Sequence, residues 1–184
     1  MSTDDLGLDL VAETRRNWQA RGLEQVDAMV AATSIARAHQ IVLSRINQTL
    51  TGHDLTFSRY EALALLSFAR NQSMGMARMG ERLQVHPTSV TSTIDRLERD
   101  GLVARKPNPD DRRATLVELT SDGVELLEQA TTSLEAVRWG MEQIPNDSLE
   151  KLSTGLSEVR NSVGDASDDA TNSRIHEGGM LDDQ

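Results

Sequence analysis

The chain has 184 residues, of which 38% are hydrophobic but only 3% aromatic, so a core must be built mainly from aliphatic and methionine side chains. It contains no cysteine, which excludes thiol-based redox sensing and cysteine-ligated zinc. No apolar run reaches the roughly 18 residues of a membrane-spanning helix. The polar, acidic start at residues 1–5 is unlike a secretory signal, so we expect a cytoplasmic protein.

The charge of the chain is unevenly distributed. The formal net charge of −10 argues against a nucleic-acid binder if it is taken over the whole chain. Residues 56–113, however, hold 10 Lys and Arg against 7 Asp and Glu, whereas the rest of the chain holds 9 against 22. A basic segment on an acidic body would orient the molecule on DNA and suppress wrong approaches.

The N-terminal part of the chain predicts two helices. We expect residues 1–10 to be disordered, and a helix carrying Trp18 to follow until Gly22 interrupts it. A long second helix should cover about residues 23–50, with apolar side chains over a wide arc. A helix that is apolar on so many sides is buried by more than one neighbour, which favours a subunit interface. We therefore assign residues 11–54 to N-terminal dimerisation helices, and the family resemblance described below implies that these helices also form a ligand pocket.

The central part of the chain predicts three further helices. The first is capped by Thr56 or Ser58 and ends near Ala69, and residues 71–73 are interpreted as a connection. The other two are short and are separated by a sharp turn at residues 84–85.

The second of these short helices, called the recognition helix below, has clear start and stop signals. Pro87 opens it at the first position, where the missing N–H costs nothing, and Gly101 can take the left-handed conformation beyond its end. Small hydroxyls near its N-terminus can reach phosphates or base edges in a DNA major groove. An ordinary helical hairpin with a polar outer face is the alternative. The predicted DNA contacts on this helix are Pro87, Thr88, Ser89, Thr91, Ser92 and Arg96.

A β-hairpin is predicted immediately after this helix. Its strands cover residues 102–106 and 114–119, and two prolines tighten the loop between them. Arg112 and Arg113 lie at the far end of the loop, where arginine can enter a minor groove. Such a hairpin is a wing, and both arginines are predicted to contact DNA.

The C-terminal part predicts two helices with apolar residues spaced by three and four. The first should run from a cap at Thr120 to Pro145, and the second should follow it. Seams of this kind favour packing against a partner chain, with intramolecular packing as the alternative. We assign residues 120–164 to C-terminal dimerisation helices and residues 165–184 to a disordered acidic tail.

Six short motifs support a family resemblance. They are Leu55–Tyr60, Val85–Thr91, Asp95–Glu98, Gly101–Val103, Asp110–Arg113 and Leu119–Gly123. In these motifs, their order and their spacing, the chain resembles the MarR family of winged-helix repressors. The resemblance implies a mainly α fold with a small β-wing, a winged helix-turn-helix DNA-binding domain at residues 55–119, and terminal helices that interlock two chains. His86 departs from the pattern, because the family usually has a serine-like cap there and histidine caps less well.

Part of the chain also resembles the urate-responsive branch of that family. Trp18, Glu61 and Arg105 fall where that branch has its tryptophan, an acidic residue and an arginine, and together with Tyr60 they are the predicted ligand-binding residues. Glutamate replaces the aspartate of the branch, and Thr93 replaces one of its arginines, so urate itself is not expected. An arginine beside a tryptophan plane still suits a small aromatic anion.

Three of the four predicted ligand residues also have an ordinary structural interpretation. Trp18 would anchor the first helix, Glu61 would complete a capping box with Ser58, and Arg105 would pair with a nearby carboxylate.

Together these patterns predict a homodimeric repressor that binds double-stranded DNA at a pseudo-palindromic operator. Half-sites about one helical turn apart are expected, because the protein would be two-fold symmetric. The expected effector is a small aromatic or phenolic carboxylate or its coenzyme A thioester. No catalytic constellation, metal site or cofactor is predicted from the scattered histidines and the sequence motifs. An effector-independent architectural protein and a winged-helix module that binds protein remain as alternatives.

Overall fold

The fold was examined in a computed structural model, which describes residues 9–108 and 114–164. The helices are α1 (Leu10–Ala20), α2 (Val26–Thr51), α3 (Phe57–Ser67), α4 (Met76–Leu83), α5 (Pro87–Arg99), α6 (Ser121–Ala136) and α7 (Asn146–Asn161). The strands are β1 (Ser73–Gly75), β2 (Val103–Pro107) and β3 (Thr115–Leu119), and short 3₁₀ turns cover Arg70–Gln72 and Arg138–Gly140. The predicted fold, mainly α with a small β-wing, is confirmed. None of the described helices is long and apolar enough to cross a bilayer.

The sheet has three antiparallel strands in the order β1-β3-β2, one more than predicted. Residues 71–73 were interpreted as a connection, which is wrong at Ser73, because β1 begins there and Met74 pairs with Val117. Asn71 and Gln72 have φ values of 57° and 52°, and this left-handed turn brings β1 back to β3. A strand of three residues has too few positions to show an alternating pattern, so only its pairing with β3 defines it.

The core is aliphatic, with methionines filling part of it, as the low aromatic content predicts. Its largest fully buried side chains include Leu50, Leu63, Leu66, Met79, Ile94, Leu97 and Leu134. Tyr60 is the buried aromatic residue, and its hydroxyl lies 2.9 Å from the Thr131 hydroxyl oxygen. Residues of α3, α5, α6 and the sheet all contribute to this cluster. The core therefore packs against the buried face of the recognition helix and leaves its other face exposed.

Local signals at the junctions behave as predicted. Pro87 is the first residue of α5, and Gly101 follows its end with φ 76°. Thr120 caps α6 by accepting a hydrogen bond from the Gly123 N–H over 3.0 Å. Gly123 must be glycine, because a Cβ there would lie 2.1 Å from the Leu102 carbonyl oxygen.

The predicted long C-terminal helix up to Pro145 is wrong, because α6 ends at Ala136. Arg138, Trp139 and Gly140 follow with φ values of 43°, 56° and 75°, so three consecutive residues have left-handed backbone conformations that end the helix. Arg45 Nη1 donates to the Gly140 carbonyl oxygen over 2.8 Å and secures this turn to α2. In the sequence, the helical spacing of apolar residues continues beyond Ala136, which is why a longer helix was predicted. Such spacing gives no information about a contact with α2.

The chain divides into a unit that ends at Met141 and a unit that begins at Glu142. In the first unit, α1 packs on α2, yet α2 buries only Ile46 and Leu50. In the second unit, α7 has no buried residue. Both α2 and α7 thus leave apolar side chains exposed within their own units.

Candidate DNA-binding surface and ligand cavities

The recognition helix α5 has an apolar inner face and a polar outer face. Val90, Ile94 and Leu97 are buried in the core. The outer face forms an open groove of about 580 Å³ lined by Pro87, Thr88, Thr91, Ser92, Asp95 and Arg96. Five of the six predicted DNA contacts on this helix therefore share one surface. Ser89, the sixth, lines a different cavity on the side of α5 that faces α3.

Arg96 is the cation of this groove. Within residues 9–108 and 114–164 it forms no ion pair, so its guanidinium is available to an anion outside the chain. Thr91 differs, because its hydroxyl donates to the Pro87 carbonyl oxygen over 3.1 Å and can only accept further hydrogen bonds. Ser92 lies on the same face without such a bond. The surface can thus offer a charged donor, a hydroxyl donor and a hydroxyl acceptor.

Arg105 of β2 holds α5 against the wing. Its Nη2 lies 2.6 Å from Asp95 Oδ1, its Nη1 pairs with Glu98, and its backbone N–H donates to Glu98 Oε1 over 3.2 Å. The hydrogen bond that Arg105 donates to Asp95, followed by the hydrogen bond that it donates to Glu98, raises the pKa of the Arg105 guanidinium above its usual value. Arg105 therefore fixes the orientation of the recognition helix relative to the strand.

A second ion pair ties the C-terminal end of α5 to the start of α3. Arg59 Nη2 lies 2.5 Å from Asp100 Oδ2, and its Nη1 donates to the Asp54 carbonyl oxygen over 2.7 Å. Asp100 also accepts from Arg99 Nε over 3.1 Å. The hydrogen bond from Arg99, followed by the charge of Arg59, lowers the pKa of Asp100 below its usual value.

Two cavities lie on either side of the N-terminal half of α3. The first, of about 320 Å³, separates α3 from α4 and α5, and Met79, Ser89, Val90 and Thr93 line its far side. The second, of about 660 Å³, separates α3 from α2, and its walls include His39, Leu43, Asn47 and Phe57. Ser58 and Glu61 line both cavities. Burial raises the pKa of Glu61, so its carboxyl is more readily protonated than an ordinary glutamate.

Comparison with known proteins decides the family. The MarR family model matches residues 55–115. The structure of Sco5413, a MarR family transcriptional regulator from Streptomyces coelicolor, has 43% sequence identity to this chain and a TM-score of 0.72. The match covers 77% of this chain and 98% of that one. The chain belongs to the MarR family.

Two other proteins are similar to this chain over more than half of its length. The organic hydroperoxide resistance transcriptional regulator of Bacillus subtilis is 29% identical over 103 residues, which is 56% of this chain and 68% of that protein. A serine-for-cysteine variant of MarR from Escherichia coli, solved with operator DNA, is 25% identical with a TM-score of 0.66. That match covers 72% of this chain and 95% of the other. As a MarR-family member, this protein is a DNA-binding transcriptional regulator and not an enzyme.

Of the four predicted ligand residues of this MarR-family protein, one lines the two cavities described above. Glu61 lines both cavities described above, whereas Trp18, Tyr60 and Arg105 line neither. Trp18 is half-buried on α1, which packs on α2. Tyr60 is 6% exposed and packs edge-on against Trp139, with ring centroids 5.6 Å apart. Two of the ordinary interpretations fit these observations, since Arg105 pairs with carboxylates and Trp18 is half-buried on a helix that packs on α2.

The capping-box interpretation of Glu61 is wrong. Helix α3 begins at Phe57 with Thr56 as its N-cap, so Ser58 already lies inside the first turn. The Ser58 hydroxyl instead lies 3.1 Å from the Thr56 hydroxyl oxygen. Glu61 is therefore not the third residue of a capping box, and it lines both cavities.

The other predicted site residues divide into those the structure describes and those it does not. Arg112 and Arg113, which were predicted to contact DNA, lie outside the described residues. A carboxylate pair for Arg105 was one of the sequence interpretations, but its partners Asp95 and Glu98 were not named, and the Arg59–Asp100 pair was not predicted. Arg59 and Asp100 are 41 positions apart, so neither helical spacing nor a motif could reveal their contact.

Proposed function

We propose that the protein is a homodimeric cytoplasmic repressor that binds a pseudo-palindromic operator through α5 and the hairpin that follows it. The groove on the outer face of α5 carries this proposal, because it gathers hydroxyls and the guanidinium of Arg96 on one exposed surface. In this arrangement Arg96 contacts a phosphate, the hydroxyls contact the major groove, and Arg112 and Arg113 reach the minor groove.

The dimer part of the proposal is supported by exposed apolar side chains on the terminal helices. Ile35 and Ile41 of α2 are 40% and 52% exposed, and Leu152 and Val159 of α7 are 44% and 53% exposed. A two-fold dimer that covers such residues would present α5 twice, about one turn of DNA apart. We accordingly propose residues 11–54 and 120–164 as dimerisation segments and residues 55–119 as the DNA-binding domain.

The DNA-binding proposal is tested by titrating a fluorescent duplex from the region upstream of the gene with wild-type protein and variants. Arg96→Ala should weaken binding to all sequences alike and reduce the slope of log affinity against log salt by about 1, because one phosphate contact is lost. The paired substitution Arg112→Ala and Arg113→Ala should also weaken binding. Arg16→Ala removes an equal charge from α1 and serves as the control.

Two outcomes would contradict this use of the surface. Unchanged affinity of the Arg112→Ala and Arg113→Ala protein would show that the hairpin does not contact the duplex. An Arg96→Ala protein that binds as well as the Arg16→Ala control would remove α5 from the interface and favour a module that binds protein.

The proposed effector is a small aromatic or phenolic carboxylate or its coenzyme A thioester, whose binding releases the operator. The shared position of Glu61 supports a ligand site, because an occupant of either cavity would contact α3 next to α5 or α2. The raised pKa of Glu61 eases its protonation, and a protonated carboxyl can donate to a ligand carboxylate. A coupling of roughly 1–3 kcal/mol between effector and operator would suffice for regulation.

The effector proposal is tested by adding the candidate compounds to thermal melts of the protein and to the same duplex titration. Aromatic acids and their thioesters should raise the melting temperature with concentration and displace the duplex, whereas the matched aromatic alcohols should not. If no acid or thioester in the panel does either, the effector-independent alternative is favoured.

A further inference from the structure

His86 is the N-cap of α5, and one nitrogen of its ring serves both polar groups of Thr88. The backbone N–H of Thr88 donates to His86 Nδ1 over 3.3 Å, and the Thr88 hydroxyl oxygen lies 3.1 Å from the same nitrogen. A ring nitrogen that accepts a hydrogen bond carries no proton, so the neutral imidazole has its proton on Nε2. The other tautomer and the imidazolium would both leave the Thr88 N–H without this acceptor.

The second ring nitrogen of His86 remains available. The imidazole is exposed, and across the described stretches 9–108 and 114–164 its Nε2 has no hydrogen-bond partner. The next two residues, Pro87 and Thr88, line the groove on the outer face of α5. A serine side chain has one polar atom, its hydroxyl oxygen, and capping the helix uses that atom. The imidazole ring of histidine has two nitrogens, so one can cap the helix while the other remains available. His86 can therefore cap the helix and donate outwards at the same time.

We propose that His86 is a DNA-contact residue, whose Nε2–H donates to a phosphate oxygen of the operator while Nδ1 caps α5. A neutral donor on an anionic oxygen forms a charge-assisted hydrogen bond. Contacts of this kind fix the register of a recognition helix on the duplex and do not read bases. The inference rests on the proposed use of α5 at the operator and adds a residue that couples the start of the helix to DNA.

Two substitutions separate the roles of the two nitrogens. In His86→Asn the side-chain oxygen replaces Nδ1 as the cap, and the outer donor is lost. In His86→Gln the amide nitrogen reaches towards the position of Nε2, and the cap acceptor is lost. The probe is a labelled duplex that the wild-type protein selects from a random pool, and each variant is also melted without DNA.

His86→Asn should mainly lower the affinity for the duplex, whereas His86→Gln should mainly lower the stability of the protein. His86→Asn should melt at or above the wild-type temperature, because asparagine caps a helix at least as well as histidine, but bind the duplex about tenfold more weakly or worse. Its salt dependence should equal that of the wild type, because a neutral contact releases no counterion. His86→Gln should melt a few degrees lower and bind more tightly than His86→Asn.

An independent measurement checks the tautomer, since the ¹⁵N chemical shifts of the His86 ring should show the proton on Nε2 in the free protein. Wild-type affinity of His86→Asn, or a proton on Nδ1, would overturn the inference. If Arg96→Ala weakens binding while His86→Asn does not, the inference about His86 is wrong, but the proposed DNA-binding function is retained. If the wild-type protein selects no duplex, the proposed function fails and this inference fails with it.

Discussion

At the scale of single residues, Asp100 shows how one carboxylate organises the end of the recognition helix. It follows Arg99, the last residue of α5, and accepts hydrogen bonds from Arg99 and from Arg59 of α3. Arg59 in turn donates to the Asp54 carbonyl oxygen at the turn before α3. The helix end is thereby attached to a segment far away in the sequence.

The lowered pKa of Asp100 predicts how this attachment depends on pH. Because the folded pKa lies below the unfolded one, the stabilisation is present above the unfolded pKa, near 4, and is lost as pH falls through the folded pKa. Asp100→Asn should therefore melt below the wild type at pH 7, and the difference should shrink as the pH falls below 4. Melting both proteins between pH 7 and pH 3 measures this.

A charge-matched control for Asp100→Asn is Glu128→Gln, which alters an exposed carboxylate on α6. If the melting difference between wild type and Asp100→Asn stays constant across this pH range, the carboxylate is not stabilised by its two arginines.

At the scale of elements, Arg105 attaches the recognition helix α5 to strand β2 through ion pairs. Its side chain is 26% exposed and contacts Asp95 and Glu98, one turn apart on the helix face next to the strand. The neighbouring strand pair, Lys106 with Glu118, is more exposed and joins only β2 and β3. Substitutions of the adjacent residues Arg105 and Lys106 therefore compare the loss of a helix–strand ion pair with the loss of a strand–strand ion pair.

Arg105→Gln should lower the stability by about 1 kcal/mol and the melting temperature by roughly 2–4 °C, because a partly buried ion-pair network is lost. Operator affinity should fall as well, since α5 is no longer held at a fixed angle to the wing. Lys106→Gln should change the stability by less than about 0.5 kcal/mol. Thermal melts and duplex titrations measure both effects. Wild-type duplex affinity of Arg105→Gln combined with loss of effector response would instead favour a ligand role for Arg105.

At the scale of the whole molecule, the charge distribution and the exposed apolar residues describe one arrangement. The basic excess lies in residues 56–113, and the acidic excess lies in the rest of the chain. Exposed isoleucines lie on α2, outside the basic segment. In the proposed dimer, apolar contacts would join the acidic bodies while each basic head stays open to DNA.

Ile41→Lys should therefore convert the dimer to a monomer at micromolar concentration, because a buried lysine without a partner opposes association. Gln40→Lys adds the same charge at the neighbouring exposed position and should leave the dimer intact. Light scattering on a sizing column measures the mass of each. An Ile41→Lys protein that elutes and scatters as the wild type would place the subunit interface elsewhere.

The sequence by itself determined the local features of this protein. Pro87, Gly101 and Thr120 begin or end helices through their own backbone geometry or through hydrogen bonds to near neighbours. The spacing of buried residues in α5 sets which side of that helix faces the core. Such effects act within a few residues, so a pattern in the chain contains them. The same locality explains why the recognition helix and the wing strands could be placed from the sequence.

The tertiary structure alone decided which distant groups meet. The three-residue strand β1 exists through its pairing with β3, and the left-handed turn at Trp139 is secured by Arg45 from α2. Likewise, the environment of Glu61 follows from how α3 packs between its neighbours. These contacts join residues tens of positions apart, and the free energy that selects them comes from the packing of the whole core rather than from the local chain.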